Sequence, residues 1–386
     1  MKKIGLVLAY KGVNYGMLLQ AFATQRMIEK MGYDTEIIDY TRIGFKHIRF
    51  TPYLPIYFVS EVLKNKQKKK NQPVLDEIHK KNIADRKSVS NKFIEDKLLH
   101  RVKINGVEEL EKYVQSEFGG VLIGSDQIWP PDAAFGNFTT LRFAPDDMNK
   151  VSYATSLGVS KYPFWCKSSA KNFMKRINHI SVREEQGKEI INGFLDKDVK
   201  VVCDPTYLFS KEEWQELIPD EKIIDGDYVL CYFLGDTREH KMLAKEYCKK
   251  HGVKLVSILS TESSSDIDVS YADEVVTGLG PDGFINLIRH AKAVMTDSFH
   301  GLAFSVINNK EFYVFYRTVV GSKNSRNSRI DNILNMWGLQ SRLVLNDADV
   351  DDFDLTPIDY VRVNALVEKK RAFSMDYLTK ALGDCK

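Results

Sequence analysis

Several function classes are excluded by what the sequence lacks. Its 386 residues include only five cysteines, Cys166, Cys203, Cys231, Cys248 and Cys385, odd in number and scattered, with no C-x-x-C pair. Zinc sites and dithiol redox motifs of that kind are therefore not encoded, and the five read as reduced thiols. No apolar run approaches the roughly 18 to 20 residues that a membrane-spanning helix needs. The short apolar run over residues 4–9 is too brief for a signal sequence and reads as a first core strand. These absences point to a cytoplasmic protein, at most peripheral to the inner face of the cell membrane. Charge of one sign is missing too: 55 basic residues face 52 acidic ones, a net charge of +3. Bulk attraction to nucleic acid is not implied. There is no G-x-S-x-G elbow of a serine hydrolase. No carboxylate cluster or His/Cys spacing suggests a metal, so no metal site is expected.

What is present is an ordinary globular composition, 44% apolar and 28% charged, in a chain long enough for two domains with separate cores. The spacing predicts a strand over 4–9, a helix over 16–31 stopped by Gly32, and a strand over 35–40, a β-α-β unit of a parallel sheet. Residues 45–115 break the rhythm and read as a mainly helical, partly basic excursion. Strands are expected again at 120–123, 151–155, 179–182 and 199–203, with helices between them. A polar stretch over 211–227 reads as a junction. Alternation then restarts with strands at 228–234, 254–259 and 293–296 and helices over 239–251 and 284–291. No literal repeat links the halves. The expected fold class is α/β: two Rossmann-like doubly wound domains facing a cleft, over 1–210 and 211–350. A helical segment over 351–386 is expected to cross back to the first domain by analogy with such folds.

In open parallel sheets, ligands bind where strands end, because loops splay there and helix N-termini present unpaired N–H groups. Four polar clusters fall at such ends: Asn14-Tyr15-Gly16, Gly124 to Trp129, Ser181 to Glu184, and Thr296 to Gly301. In the last, Asp297 or Ser298 can cap the following helix while its first amides face an anion. His300 can exchange a proton near neutral pH; its alternative reading is a satisfied core or capping histidine. Arg183 leaves a strand where a guanidinium can aim into a cleft and match carboxylate or phosphate. Its alternative is an ion pair with Glu184 or Glu185. Asp126 can orient a hydroxyl or act as a base, or it can cap the next turn.

In this order, Asn14-Tyr15-Gly16 with Leu19-Gln20-Ala21, Gly124-Ser125-Asp126-Gln127-Ile128-Trp129, Tyr153-Ala154-Thr155-Ser156, Val182-Arg183-Glu184, Asp204-Pro205-Thr206, Ser298-Phe299-His300-Gly301 and Ser328-Arg329-Ile330 resemble the polysaccharide pyruvyl transferase pattern. The resemblance spans about residues 1–340 by its motifs. It implies a fold like the GT-B glycosyltransferases, with phosphoenolpyruvate as donor substrate and no further cofactor. It further implies transfer of the pyruvyl unit to a sugar of a surface polysaccharide such as an exopolysaccharide or capsule, or of a polyprenyl-linked precursor, as a cyclic ketal with release of phosphate. Carried onto matching positions, it makes His300 and Asp126 the catalytic candidates. Arg183, Ser298, Phe299, His300 and Arg329 become the donor-site candidates, and Asn14, Tyr15, Gly16, Gln127 and Trp129 the acceptor-side or cleft-lining ones. Two rivals remain: a glycosyltransferase using a nucleotide sugar on the same architecture, and a non-catalytic glycan-binding or assembly protein.

Between Phe45 and Lys70, an aromatic-rich apolar stretch runs into Lys64, Lys66, Lys68, Lys69 and Lys70. This is the composition of an interfacial anchor on an anionic bilayer. The alternative is that the apolar residues pack inside and the lysines form a solvated loop.

Overall fold

The computed structural model describes residues 3–43, 55–56, 58–59, 62–63, 65–66, 75–262, 264–265, 267–317, 327–345, 347–383 and 385. The first half begins with β1 (Lys3–Val7), α1 (Tyr15–Lys30) and β2 (Thr35–Thr41). The excursion then supplies α2 (Glu77–Lys97), followed by β3 (Arg101–Asn105) and α3 (Gly106–Glu117). After them come β4 (Phe118–Ile123), β5 (Asn149–Thr155), α4 (Phe164–Lys175), β6 (His179–Val182), α5 (Glu185–Asn192) and β7 (Val199–Val201). Helix α6 (Lys211–Leu217) occupies the junction. The second half comprises β8 (Tyr228–Tyr232), α7 (Arg238–His251), β9 (Lys254–Ile258), β10 (Glu274–Val276), α8 (Pro281–His290), β11 (Ala293–Thr296), α9 (Phe299–Ile307), β12 (Glu311–Phe315), α10 (Ser328–Trp337), β13 (Leu343–Val344) and α11 (Tyr360–Gly383).

All strand pairings are parallel, in two sheets of order β3-β2-β1-β4-β5-β6-β7 and β10-β9-β8-β11-β12-β13. Each reverses direction once, between β1 and β4 in the first and between β8 and β11 in the second. That reversal opens a crevice beyond the strand ends where ligands bind. The expected pair of doubly wound α/β sheets is therefore present. The excursion is less helical than expected, because residues 101–105 return to pair with β2 at the sheet edge. Its short alternating pattern, Arg101-Val102-Lys103-Ile104-Asn105, buries only Ile104 fully, as an edge strand with one covered side allows.

The junction is not merely polar. Ser210 caps α6 in a reciprocal box with Glu213, and Trp214 drops from that helix between Phe22 of α1 and Phe304 of α9, at ring distances of 6.1 and 5.1 Å. Tyr15, at the start of α1, stacks on Phe284 of α8 at 4.7 Å. One apolar core thus runs through both halves and fixes their mutual placement. Helix α2 adds polar clamps to the second half. His79 meets Asp268 at 3.1 Å, Lys241 pairs with the same carboxylate, and Arg86 donates to the carbonyl of Leu259 at 2.7 Å. The last helix, α11, packs on the first sheet, where Tyr377 donates to Ser152 O at 2.8 Å and Ser374 accepts from Cys203 N at 3.0 Å.

Most of the stretch between Phe45 and Lys70 lies outside the described residues. Those described there, including Ile56, Val59, Val62 and Leu63, are helical and exposed. Among the described residues, no helix is long and apolar enough to cross a membrane.

Candidate functional site

Strand-end residues of the two sheets meet across the halves, and several of the sequence-predicted residues gather there. From the first sheet, Asp126 follows β4 in a left-handed backbone conformation, φ +79°, and Ala154 on β5 has φ +52°. Neither is glycine, so each holds strain of about 1–3 kcal/mol that the surroundings must impose. They impose it by pairing: Asp126 O accepts from Ser156 N at 2.9 Å and from Ile128 N at 2.8 Å. The β5 bulge shifts register between Ser152 and Thr155. The result aims the Asp126 carboxylate toward Arg183 and Arg329, where its charge is felt.

Arg183 leaves the end of β6 and is buried, 2% exposed. Its Nε donates to Glu184 at 3.0 Å and its Nη1 to Asp204 at 2.8 Å, while the guanidinium lies over the Phe299 ring at 4.1 Å. Burial opposes its charge, yet the Glu184, Asp204 and Asp126 carboxylates outweigh burial and raise its pKa. The ion pair with Glu184 is present, and Nη2 remains a buried donor without a partner.

Asp204, after β7, is the hub of the first-sheet side. One oxygen, Oδ2, accepts from Arg183 and from Ser125 Oγ at 3.2 Å. The other, Oδ1, accepts from Thr206 N at 3.1 Å and Thr206 Oγ1 at 2.9 Å. Burial works against ionisation there, but His300 and Arg183 more than offset it and hold the carboxyl well below the usual range.

From the second sheet, Asp297 after β11 accepts from the amides of Leu234 and Gly235 at 2.7 and 2.8 Å, closing the end of β8. Ser298, not Asp297, caps α9, accepting from Gly301 N at 3.3 Å. His300 in the first turn of that helix places Nε2 3.7 Å from Asp204 Oδ2, an ion-pair distance and longer than a hydrogen bond. Its Nε2 is buried and unpartnered. The ring packs close to Gly16, where a Cβ would lie 1.9 Å from Nδ1 and 2.2 Å from Cγ.

Arg329, in the first turn of α10, faces a crevice shared with Ser156, Gly158, Glu184, Gln186 and Ser328. Burial first, and then the Arg183 charge, lower its pKa to about 10, and its Nε has no partner. Neighbouring Asn332 ties the two halves by donating to Arg183 O at 3.4 Å. At the outer edge, Asn14 caps α1 and donates to Glu262 at 2.9 Å, and Glu262 meets Arg317 at 3.3 Å.

The structure thus brings together Gly16, Asp126, Arg183, Ser298, Phe299, His300 and Arg329, with Asn14 at the rim. It sends Trp129 elsewhere: the ring is fully buried in the first core, edge-on to Phe173 at 5.4 Å, and donates to Thr139 O. Trp129 does not line the cleft, because its strand-end loop folds inward over α4. Tyr15 is also fully buried, serving the contact between halves. Gln127 packs on Gly158 beside the crevice. Reading the sequence assigned no role to Asp204, although Asp204-Pro205 after an apolar strand marked a strand end. Glu262 and Arg317 carried no signal, being charged loop residues among many.

A model described as polysaccharide pyruvyl transferase matches residues 14–318. Among solved structures, UGT89C1 of Arabidopsis thaliana superposes with a TM-score of 0.52 at 11% identity, covering 100% of both chains. UDP-GlcNAc 2-epimerase from Neisseria meningitidis bound to UDP-GlcNAc gives 0.51 at 9% identity, covering 98% of this chain and 100% of that one. The UDP-GlcNAc 2-epimerase of Methanocaldococcus jannaschii gives 0.50 at 12%, covering 95% and 92%. Such low identities show the fold alone, the GT-B-like arrangement of two α/β domains. No curated protein gives a significant sequence match.

Proposed function

Because the chain belongs to the polysaccharide pyruvyl transferase family, we propose that it moves the pyruvyl unit of phosphoenolpyruvate onto a hydroxyl pair of a glycan sugar, forming a cyclic ketal and releasing phosphate. The observation that carries this reading is the pair of buried, unspent guanidinium nitrogens of Arg183 and Arg329 near the buried imidazole of His300. A small trianionic donor with a phosphate and a carboxylate calls for two guanidinium partners beside a proton carrier.

In this scheme His300 protonates the methylene carbon of the donor, leaving an oxocarbenium-like centre at the adjacent carbon. A sugar hydroxyl attacks that centre and passes its proton to Asp126, while Arg183 and Arg329 offset the donor's negative charge. Phosphate leaves the tetrahedral adduct, the second hydroxyl closes the ketal, and its proton leaves with the phosphate. The proton on Asp126 returns to His300 through solvent.

The family implies a sugar or polysaccharide acceptor, and we take it to be carried on a polyprenyl lipid at the inner face of the membrane. The exposed Ile56, Val59, Val62 and Leu63, beside a lysine-rich sequence, support that placement. Against a nucleotide-sugar donor stands Asp297, whose carboxylate occupies the Leu234 and Gly235 amides at the second reversal crevice. Phosphate release from phosphoenolpyruvate, measured across free and lipid-linked sugar acceptors, tests the proposal. Acceptor-dependent release that is lost in His300→Ala and weakened in Arg329→Ala supports it. Turnover of a nucleotide sugar with no release from phosphoenolpyruvate contradicts it, and glycan binding without product from either donor points to a non-catalytic protein.

A further inference from the structure

Asp204 belongs to no catalytic assignment above, yet it touches the two groups on which the proposed reaction depends. We infer that Asp204 is the positioning residue of the site: it holds the proton of His300 on Nε2, so that the proton given to substrate leaves from Nδ1. The inference rests on the proposed pyruvyl transfer for its chemistry, but its geometry stands without it.

The argument begins with what surrounds the ring. Nε2 of His300 is buried without a hydrogen-bond partner, and the Asp204 carboxylate faces it, Oδ2 lying 3.7 Å away. A buried N–H turned toward an ionised carboxylate is favourable, whereas a lone pair turned toward it is repelled. The carboxylate cannot swing away. Thr206 holds Oδ1 through two hydrogen bonds, and Arg183 and Ser125 hold Oδ2. Its side chain is fully buried, so water does not take its place. Gly16 packs close to the ring beside Nδ1 and Cγ, which opposes its turning. The neutral ring therefore keeps Nε2–H, and Nδ1 is the nitrogen that gains and loses the transferred proton.

The chemistry balances on this assignment. The imidazolium carries protons on both nitrogens. Its Nδ1–H bond breaks as the C–H bond forms on the methylene carbon of the donor, whose C=C electron pair supplies that bond. The ring returns to the neutral Nε2–H form, and Asp204 remains ionised throughout. The same oxygen that faces Nε2 also fixes Nη1 of Arg183, which leaves Nη2 as that guanidinium's free donor. One carboxylate thus registers a proton carrier on the second domain against an anion partner on the first.

The test is nitrogen-15 NMR of histidine-labelled wild-type protein at a pH where the ring is neutral, with the His300 signals identified by their loss in His300→Gln. The expected spectrum shows Nε2 protonated and Nδ1 bearing the lone pair; the reverse tautomer overturns the inference. In Asp204→Asn, kcat is expected to fall roughly 10²- to 10⁴-fold, the range of general acid–base effects, with KM for phosphoenolpyruvate changed far less. A rise in KM alone, with the tautomer unaltered, would reduce Asp204 to a partner of Arg183 and also overturn it. If Asp204→Asn does not fold, the wild-type spectrum still decides. An Nε2–H tautomer in a protein inert toward phosphoenolpyruvate would sink the proposed function and leave the positioning role intact.

Discussion

Gly16 and His300 belong to different domains and meet so closely that a single added methyl would collide with the imidazole, the Cβ lying 1.9 Å from Nδ1 and 2.2 Å from Cγ. The residue type at position 16 is therefore set by the approach of the second domain. Gly16→Ala must displace the ring or part the domains. A shift of about 1 Å in a reacting group can cost about 10²-fold in rate. We expect at least that loss in kcat, with overpacking costing about 1–3 kcal/mol of stability. Paired activity assays and urea unfolding check this, and an active Gly16→Ala enzyme would show that the contact opens freely in solution.

The two arginines of the cleft should respond in opposite ways. Arg183→Ala strands the buried carboxylates of Glu184 and Asp204, and breaking a buried pair in this way costs about 3–5 kcal/mol. Arg329 has an unpartnered Nε and a charge already strained by burial, so Arg329→Ala should leave stability unchanged or raised while weakening donor binding about 10- to 100-fold, the worth of one charged hydrogen bond. Thermal unfolding together with KM for phosphoenolpyruvate separates them. Equal destabilisation by both substitutions would contradict the assignment of Arg329 as an unspent anion partner.

Acid should attack the site through Asp204. Its folded-state pKa is depressed, so the stability it contributes is fully present above the unfolded value of about 3.9 and is lost as pH falls through the folded value. Urea midpoints measured from about pH 5 to about pH 3 should fall more steeply for the wild type than for Asp204→Asn, which has no such proton to gain. Parallel decline of the two proteins would remove Asp204 from the acid response.

Much of this arrangement was legible from residue order, and the reasons differ by element. Strands such as Ala293–Thr296 announce themselves because a buried parallel strand is an unbroken apolar run bounded by polar punctuation. The polar residues just beyond such strands, Asp126, Arg183 and His300, lie near one another because strand ends in these sheets converge. Trp129 misled because the motif containing it continues past the strand end into a turn that folds back into the core. Strand Arg101–Asn105 was hidden because an edge strand alternates charged and apolar residues and borrows its partner from a distant segment. Asp204 escaped assignment for a similar reason: its importance lies in bonds to Arg183, Ser125 and Thr206, two of them remote in sequence.

Membrane contact has its own test. Ile56, Val59, Val62 and Leu63 are 43%, 60%, 53% and 60% exposed, and their spacing in the sequence is that of one helical face. Flotation with vesicles containing anionic lipid should recover the wild type and not the Val59→Asp/Leu63→Asp double variant, with activity on a water-soluble acceptor retained by both. Recovery should weaken as salt rises. Equal recovery of the two proteins would place any membrane contact elsewhere.

The central claim is that the pyruvyl carbons travel from phosphoenolpyruvate to a sugar. The most direct measurement supplies carbon-13-labelled phosphoenolpyruvate with a glycan acceptor and follows the label by mass spectrometry and carbon NMR. The account predicts all three labelled carbons on the acceptor, one as a quaternary ketal carbon bonded to two sugar oxygens, with one phosphate released per transfer and none of it in His300→Ala. Label remaining in phosphoenolpyruvate or appearing only as free pyruvate, across acceptors that the protein binds, would contradict it.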